Sequence, residues 1–378
     1  MEFLQVLITF LLVLLFMNML LNLRMLDDQE TVENKTENKT DLPLISVLLP
    51  VRNEEKNIHN CILSLLEQNY PYLEIIILDD DSTDNTFQIA KQLAQKSKKL
   101  KVVKGKDLPK DWNGKNWACH QLSQLARGEW FLFTDADTVH KESSISKAFS
   151  VAQKNDSVFL TFLPGLTMKT WSEKLLLPIM HFAFTVLIPF NLINYSGHSR
   201  VPVGIGPFMF IKKKSFLTCG GYKAIKNEIV DDMALAKAVH KNNGKITVIN
   251  GSPFMNVRFY TKLQEIWKGF SKNSYPAISS SPHFLIFVII FCYFLFVYPY
   301  ISLWGAFESN EGLTHPLLQV CIISFMKIFL ALKFETSLFY GLLHPFSVIL
   351  WLLILLNSFR LSVFKKKFEW KERLYPIE

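Results

Sequence analysis

Two aspartates, Asp135 and Asp137, closely follow the apolar run 130–133 and are separated by one residue. An extended chain places residues i and i+2 on the same side, so a strand that ends here predicts two carboxylates facing one cleft. Carboxylate oxygens are preferred ligands of Mg²⁺ and Mn²⁺, and a cation held in this way can bind a diphosphate. Because a lone Asp-x-Asp is also common in solvated turns, the interpretation depends on the residues that accompany it.

A second acidic group, Asp79 and Asp80, follows the apolar run 73–78 and precedes a helix-forming segment. A carboxylate at such a position can accept hydrogen bonds from a nucleobase or from ribose hydroxyls. Capping of the following helix is the alternative, because carboxylates also stabilise helix N-termini. We assign Asp80 to ligand binding and Asp84 to capping.

Two more segments carry groups suited to phosphate binding or to proton transfer. Gly114 permits close approach of the backbone to a ligand, and Lys115 offers a positive charge to a phosphate; an ordinary turn with a solvated lysine is the alternative. Asp231 and Asp232 precede a strong helix-forming run. Either they cap that helix, or one of them is a general base whose pKa is raised by its acidic neighbour and a bound diphosphate.

The elements that must position these groups alternate between strand and helix. Apolar runs typical of buried parallel strands occur at 44–50, 73–78, 100–103 and 129–133. Segments typical of helices separate them, at 54–68, 83–96 and 117–126. This alternation predicts an α/β fold with a doubly wound, mostly parallel sheet and helices on both faces. Ligands of such sheets bind beyond the carboxyl ends of the strands, where Pro50, Arg52 and Glu54 also fall.

Long apolar segments lie on both sides of this region. The pattern predicts an N-terminal transmembrane anchor at 1–24, a polar linker at 25–43, a catalytic domain at 44–275 and a C-terminal membrane region at 276–378. Within the last region, spans are expected near 283–304 and 338–358. The segment 316–333 contains Lys327 and is expected either to span or to lie in the interface.

Charges in the loops and the overall composition predict where the chain resides. Residues 305–312 contain no Lys or Arg and are expected outside, whereas the basic run 365–367 is expected inside, which favours two C-terminal spans. The prediction is therefore a multi-pass cell-membrane protein with a cytoplasmic catalytic domain, and five scattered cysteines suit that reducing compartment. The net charge of +8 fits basic segments beside anionic lipid. Since basic patches interleaved with exposed aromatics are missing, we expect no nucleic-acid partner.

The set of motifs resembles the family 2 glycosyltransferases of GT-A fold, over about residues 44–275. The motifs are an opening strand and loop at 49–55, an element similar to Asp-Asp-Gly-Ser-Thr-Asp at 79–84, the Asp-x-Asp at 135–137 and the position of the catalytic base at Asp232. Asp81 replaces the glycine of the second motif.

A narrower likeness points to membrane-tethered members of the family that act on isoprenoid lipids, such as the diaponeurosporenoate and hopanoid-associated glycosyltransferases. The segments that carry it are 108–119, 204–209, 269–273 and 370–375. Processive members carry Gln-x-x-Arg-Trp, but residues 266–270 read Ile-Trp-Lys-Gly-Phe. The resemblance therefore favours transfer of a single sugar over synthesis of a polysaccharide.

The resemblance implies inverting transfer of one hexose, with glucose expected, from a UDP-sugar to a membrane lipid or isoprenoid acceptor such as a carotenoid acid. Asp137 and the diphosphate would hold Mg²⁺ or Mn²⁺, and Asp135 would touch the metal or the ribose. Asp232 would be the catalytic base, with Asp231 beside it. The residues expected to bind the donor are Pro50, Arg52, Glu54, Asp79, Asp80, Gly114, Lys115 and Asp135.

Two other functions stay open on the sequence. One is sugar transfer to polyprenyl phosphate, an acceptor that would want an Arg/Lys cluster beside the membrane. The other is a non-catalytic nucleotide-sugar-binding membrane protein, which would have no need of a base at Asp232.

Overall fold

A computed structural model of the chain describes residues 2–30, 42–190, 202–278, 281–309, 312–365, 367–370 and 373–376. The chain divides into two units. The sheet unit comprises Met25–Thr167 and Phe190–Arg258. The helical unit comprises Met1–Arg24, Met168–Pro189 and Phe259–Glu378.

The sheet unit is built on strands that alternate with helices along the chain. The strands are β1 (Ile45–Val51), β2 (Leu73–Asp79), β3 (Leu100–Lys104), β4 (Trp130–Phe133), β5 (Thr138–His140), β6 (Phe159–Leu163), β7 (Gly165–Leu166), β8 (Met209–Lys212), β9 (Ile246–Asn250) and β10 (Met255–Val257). The helices are Ile58–Leu66, Thr86–Ala94, Gly114–Leu125, Ser144–Lys154, Lys213–Thr218, Gly221–Ala224 and Asp231–Lys241.

The main sheet has the strand order β3-β2-β1-β4-β8-β6-β9 among the described residues. Strand β8 runs antiparallel to both its neighbours, and the other pairs are parallel. A smaller sheet joins β5, β10 and β7. The mixed, mostly parallel α/β sheet agrees with the sequence prediction, and its register places Val51 opposite Asp79 at the carboxyl ends of β1 and β2.

The strands form because their side chains are buried on both faces of the sheet. All residues of β4 and β6 are buried, which accounts for runs that are apolar without alternation. Aromatic rings from neighbouring strands and their ends stack on one another. Phe162 stacks on Phe208 with ring centroids 3.8 Å apart, and Trp130 stacks on Phe210 at 4.6 Å.

The first two helices of the sheet unit begin later than the sequence pattern predicts, at Ile58 and Thr86. The loops that precede them are joined by hydrogen bonds instead. Thr83 N donates to Asn53 Oδ1 (2.9 Å), and Glu55 N donates to Asp84 Oδ2 (3.1 Å). Side-chain acceptors thus hold the two loops together in place of further helical turns.

The helical unit contains most of the long apolar helices of the chain. Its helices are Glu2–Glu30 (whose first part belongs to this unit), Trp171–Leu176, Pro178–Phe182, Leu263–Ile278, Pro282–Phe296, Tyr298–Ser309, Thr314–Lys333, Leu338–Leu342 and His344–Arg360. The strands Lys367–Trp370 and Arg373–Pro376 pair as an antiparallel hairpin.

Three segments in the described part of the chain are long and apolar enough to cross a membrane, namely Glu2–Asp27, Thr314–Lys333 and His344–Phe364. The segment predicted as a span at 283–304 consists of two shorter helices, of 15 and 12 residues. The number of spans and their orientation stay predictions.

Polar side chains of the first helix bond to other parts of the helical unit. Asn22 is fully buried, and its Nδ2 donates to the carbonyls of Thr185 (2.7 Å) and Ile188 (2.6 Å). Gln319 Nε2 donates to the carbonyl of Gln5 at 2.9 Å. Amide groups in apolar helices are stabilised by such pairing, so these contacts fix the first helix within its unit.

Candidate active site

The paired aspartates lie where β4 ends. Thr134 is the first residue after the strand. Its N–H donates to the carbonyl of Leu48 (3.3 Å), and its hydroxyl donates to the carbonyl of Pro207 (2.8 Å). Asp135 and Asp137 follow, both half-buried, with the intervening Ala136 buried. The chain turns here, with Thr138 N donating to the carbonyl of Asp135 (3.2 Å), so the extended alternation expected from the sequence does not continue through Asp137.

Lys115 joins the aspartates of two distant segments. Its Nζ lies 2.9 Å from Asp135 Oδ1 and 3.6 Å from Asp231 Oδ2. It stands in the first turn of the helix Gly114–Leu125, which begins three residues before the predicted helix at 117–126. Burial alone would lower the pKa of Lys115, but the charges of Asp135 and Asp231 raise it well above its ordinary value.

Asp232 is the carboxylate with the most unusual environment. Its Oδ2 accepts a hydrogen bond from Gly206 N (2.8 Å), and its Oδ1 accepts one from Met233 N (2.7 Å). Burial and the neighbouring charge of Asp231 raise the pKa of Asp232 to about 7, against the opposing effect of Lys115 and of the two N–H donors. A carboxylate with such a pKa is a stronger base than an ordinary aspartate.

Gly206 brings Asp135 and Asp232 to the same space. A Cβ atom at this glycine would lie 3.2 Å from Asp135 Oδ2, 3.4 Å from Asp232 Oδ2 and 3.7 Å from Lys115 Nζ. The two carboxylates therefore come from distant segments of the chain and lie beside the same point. The glycine leaves that point open, because any side chain here would fill the gap between them.

Residues after β1 and β2 form the other side of the sheet edge. Arg52 is buried, and its Nη1 donates to the carbonyls of Asp80 and Asp81, the latter at 2.8 Å. Asp79 Oδ2 accepts the N–H of Ser82 (3.2 Å). These bonds fix the loop after β2, so that Arg52 positions the backbone around the buried Asp80.

Asp81 explains how this chain departs from the family motif at that loop. Its φ of 60° lies in the left-handed region, which glycine adopts freely and which Asp and Asn tolerate best among the other residues. The backbone conformation expected of the glycine is therefore retained.

Glu54 and Pro50 complete the predicted donor-binding set. Glu54 N donates to Thr86 Oγ1 (2.7 Å), and Glu54 Oε2 accepts from Asn57 Nδ2 (2.9 Å). Pro50 pairs in register with Leu78 of β2 and is half-buried. The structure thus places every predicted site residue at the carboxyl edge of the sheet or at the helix starts beside it, while their roles in binding stay predictions.

Several residues of the site lack a signal that the sequence analysis used. The buried thiol of Cys61 donates to the carbonyl of Asp135 (3.7 Å), and its pKa is raised by burial and then by the charges of Asp137, Asp135 and Glu54. Tyr222 is fully buried and donates to Asp231 Oδ2 (3.3 Å). The position of Gly206 is marked in the sequence only by the Gly-x-Gly pattern at 204–206.

The carboxylates suit a divalent cation together with a ligand that supplies further oxygens. Among the residues that the structure describes, no three His, Cys, Asp or Glu side chains are grouped to hold a metal ion by themselves. Mg²⁺ is commonly bound in proteins through one or two carboxylates, water and the phosphates of a substrate. The half-buried pair Asp135 and Asp137 meets that smaller requirement, so the donor set fits a cation shared with a diphosphate.

An α/β sheet with a carboxylate cluster at its carboxyl edge can bind a nucleotide diphosphate through a divalent cation. The model of the family described as Glycosyl transferase family 2 matches residues 46–220. Residues 46–220 therefore form a family 2 glycosyltransferase domain, and the protein is a glycosyltransferase, as the motifs predict.

The sequence is similar to that of 4,4'-diaponeurosporenoate glycosyltransferase from Staphylococcus aureus (strain USA300), with 24% identity over 350 residues and 88% of each chain covered. The enzyme of the same name from Staphylococcus haemolyticus (strain JCSC1435) is 23% identical over 351 residues, covering 88% of this chain and 89% of that one.

Among solved structures, the fold is similar to that of the mannosyltransferase PcManGT from Pyrobaculum calidifontis, solved in complex with GDP-Man and Mn²⁺. The TM-score is 0.53 at 16% identity, and the match covers 96% of this chain and 99% of that one. This likeness, together with the family match, confirms the predicted GT-A fold.

Proposed function

We propose that this protein transfers a single hexose, glucose in the first instance, from a UDP-sugar to an isoprenoid or lipid acceptor, with a carotenoid acid as the leading candidate. The observation that carries the proposal is the shared space at Gly206, where the carboxylates of Asp135 and Asp232 lie 3.2 and 3.4 Å from the Cβ position. A donor-binding carboxylate and a base beside one gap are what sugar transfer requires. The similarity to diaponeurosporenoate glycosyltransferases over 88% of the chain supports the acceptor class.

The donor end of the site would hold the diphosphate and a divalent cation. Asp137, with Asp135, would bind Mg²⁺ or Mn²⁺, and the cation would stabilise the charge that grows on the departing nucleoside diphosphate. Lys115 would turn from its carboxylates toward the same phosphates, since its ammonium already lies between Asp135 and Asp231. Pro50, Glu54 and Asp80 would line the nucleoside at the ends of β1 and β2.

The acceptor end of the site would use Asp232. Two backbone N–H groups orient its carboxylate, and its raised pKa makes it a suitable base for removing a proton from an acceptor hydroxyl. A carboxylic acid acceptor is already ionised near neutral pH and would need no such base. The two acceptor chemistries therefore predict opposite results for Asp232→Asn, loss of transfer to a hydroxyl and retention of transfer to a carboxylate.

The proposed location is the cell membrane, crossed more than once, with the sheet unit in the cytoplasm, where UDP-sugars are made. The three long apolar helices support membrane association.

The test is incubation of membranes that contain the protein with UDP-glucose and a carotenoid-acid-rich lipid extract, followed by mass spectrometry. We expect a new lipid that is heavier by one hexose and is absent with Asp137→Ala. Release of free glucose without a new lipid, or a ladder of added hexoses, would contradict single-sugar transfer to a lipid.

A further inference from the structure

A cleft in the helical unit is lined by cations and hydroxyl groups. It lies between the helices Trp171–Leu176, Thr314–Lys333 and Leu338–Leu342, and it amounts to about 340 Å³ with its open side included. The polar side chains that line it are Lys174, His181, Lys327, Thr336, Ser337 and Tyr340. Every one of these groups can donate a hydrogen bond, and none of the lining residues is Asp or Glu.

Lys327 is the central group of this cleft. It lies in an apolar helix and is only 8% exposed. Its Nζ lies 5.3 Å from the ring centroid of Phe182, and no carboxylate in the described part of the chain lies within ion-pair distance of it. Because a buried cation without a counter-charge is costly, an anion that enters the cleft would be bound strongly.

Glu173, an acidic residue adjacent in sequence to the cleft residues, bonds to backbone N–H groups. Glu173 is fully buried, but its Oε2 accepts the N–H groups of Lys169 (2.7 Å) and Thr170 (2.5 Å) in a capping box. The acid near the other end of the cleft, Glu335, is exposed. Neither carboxylate is placed as a partner of the buried ammonium.

Aromatic rings pack against two of the lining residues, His181 and Lys327. His181 stacks on Phe334 with centroids 4.0 Å apart, and the ring of His344 lies 4.4 Å from that of Phe182. His344 is fully buried, and neither of its ring nitrogens has a hydrogen-bond partner among the described residues. In such surroundings a charge-assisted hydrogen bond is stronger than in water.

We propose that this cleft binds the oxyanion of an amphiphile of net negative charge, a phosphate or carboxylate group attached to an apolar chain. The innermost space holds about one water-sized group, so a single anionic oxygen would reach Lys327 while the rest of the head group stays at the open side. The apolar chain is inferred from the apolar side chains that also line the cleft, namely Leu175, Pro178 and Leu330. The inference is independent of the proposed sugar transfer, since all lining residues belong to the helical unit.

The test uses the full-length protein purified in a neutral detergent and native mass spectrometry of lipid retention. We expect retention of phosphatidylglycerol and of oleate, with little retention of phosphatidylcholine. Lys327→Met should reduce retention of the anionic lipids by about tenfold, the effect of losing one charge-assisted hydrogen bond. Lys333→Met removes a lysine from the same helix but outside the cleft, and it should leave retention unchanged.

Three results would overturn the proposal. These are equal retention by Lys327→Met and the unaltered protein, a preference for phosphatidylcholine, and displacement of the lipid by inorganic phosphate alone, which would assign the cleft to a free anion. If Lys327→Met fails to fold, Lys174→Met replaces it. Loss of this half-buried cation should weaken retention several-fold, and unchanged retention would again contradict the proposal.

Discussion

Two carboxylates and one ammonium border the space beside Gly206, and a third carboxylate, that of Asp231, lies next to the ammonium. Lys115 is within ion-pair distance of Asp135 and Asp231, while Asp232 is held by backbone N–H groups. One cation does not neutralise three acids, and burial followed by the charge of Asp231 raises the pKa of Asp232. A divalent cation brought by a diphosphate would reduce the excess negative charge, which is a physical reason for the donor and the metal to bind together.

Replacing Gly206 with alanine tests the space itself. The new Cβ would lie 3.2 Å from Asp135 Oδ2 and 3.4 Å from Asp232 Oδ2, so at least one carboxylate must shift. A displacement of this kind typically lowers the rate by about tenfold or more, and we expect the melting temperature to change little. The control is Gly305→Ala, where a Cβ would meet nothing within 4 Å. Equal transfer rates for the two variants would contradict the proposed geometry.

The stability of the protein without donor or metal should reveal the raised pKa of Asp232. A carboxyl whose folded-state pKa is about 7 binds its proton more tightly when folded. Its contribution to stability is therefore full below the ordinary pKa of about 4 and is lost as pH rises through about 7. Asparagine does not titrate. The melting temperature of Asp232→Asn relative to that of the unaltered protein should therefore rise between about pH 5 and about pH 8.

The control for this titration is Asp84→Asn. Hydrogen bonds from Thr86 and Glu55, outweighing the effect of burial, lower the pKa of Asp84, so its charged form already stabilises the fold at both pH values. Its loss should be equal near pH 5 and near pH 8. If the difference in melting temperature between Asp232→Asn and the unaltered protein is also independent of pH, the pKa of Asp232 is not raised.

The loops after β1 and β2 fix the part of the site that lies at the ends of these two strands. Thr83 and Asn53, and Glu55 and Asp84, join these loops by hydrogen bonds, and Arg52 holds the backbone of the second loop. The loops replace the first helical turns that the sequence pattern predicts. The edge of the sheet is therefore held by side chains on both loops and does not depend on the helices alone.

Asp81 gives a direct test of that loop. With φ at 60°, Asp81→Gly should leave the melting temperature unchanged or raise it, whereas Asp81→Ala should lose about 1 kcal/mol of stability from left-handed strain. The contact between Asp81 and Arg52 is 3.6 Å long and Asp81 is 82% exposed, so its loss contributes little. Equal thermal melting of the two variants would show that the backbone conformation is not the constraint.

Local patterns predicted the strands and the edge of the sheet but not the pairing at its centre. Continuous apolar runs mark β1, β2 and β4, and each is followed by its acidic residues, so the positions of Asp80 and Asp135 follow from sequence. The approach of Asp232 to Gly206 depends on β8 entering the sheet antiparallel beside β4. No short-range pattern encodes such a long-range pairing, and Cys61 and Tyr222 were missed for the same reason.

The chain as a whole combines a glycosyltransferase domain with helices suited to a membrane. In the helical unit, apolar surfaces alone do not specify which helices pair, because lipid tails are as apolar as leucine. Buried amides such as Asn22 and Gln319 supply that specificity through their hydrogen bonds. This accounts for polar residues at otherwise apolar positions of the first helix and of the helix Thr314–Lys333.

Removal of the Asn22 amide should weaken the helical unit. Asn22→Leu removes a donor from the carbonyls of Thr185 and Ile188. The carbonyl of Ile188 keeps the longer bond from Asn18 Nδ2 (3.5 Å). We expect a loss of about 1 kcal/mol. A lower melting temperature in detergent is the expected result. Leu21→Ala, at a neighbouring residue that is 52% exposed, is the matched control. A larger loss for the control would show that the amide does not fix this helix.

Calorimetric titration of UDP into the purified protein, with Mn²⁺ and then with a chelator, tests the central claim that carboxylates at the sheet edge hold the donor through a divalent cation. We predict binding that requires the metal and that falls by about a hundredfold or more in Asp137→Ala. Equal UDP affinity with and without the metal, or an unchanged affinity in Asp137→Ala, would contradict it.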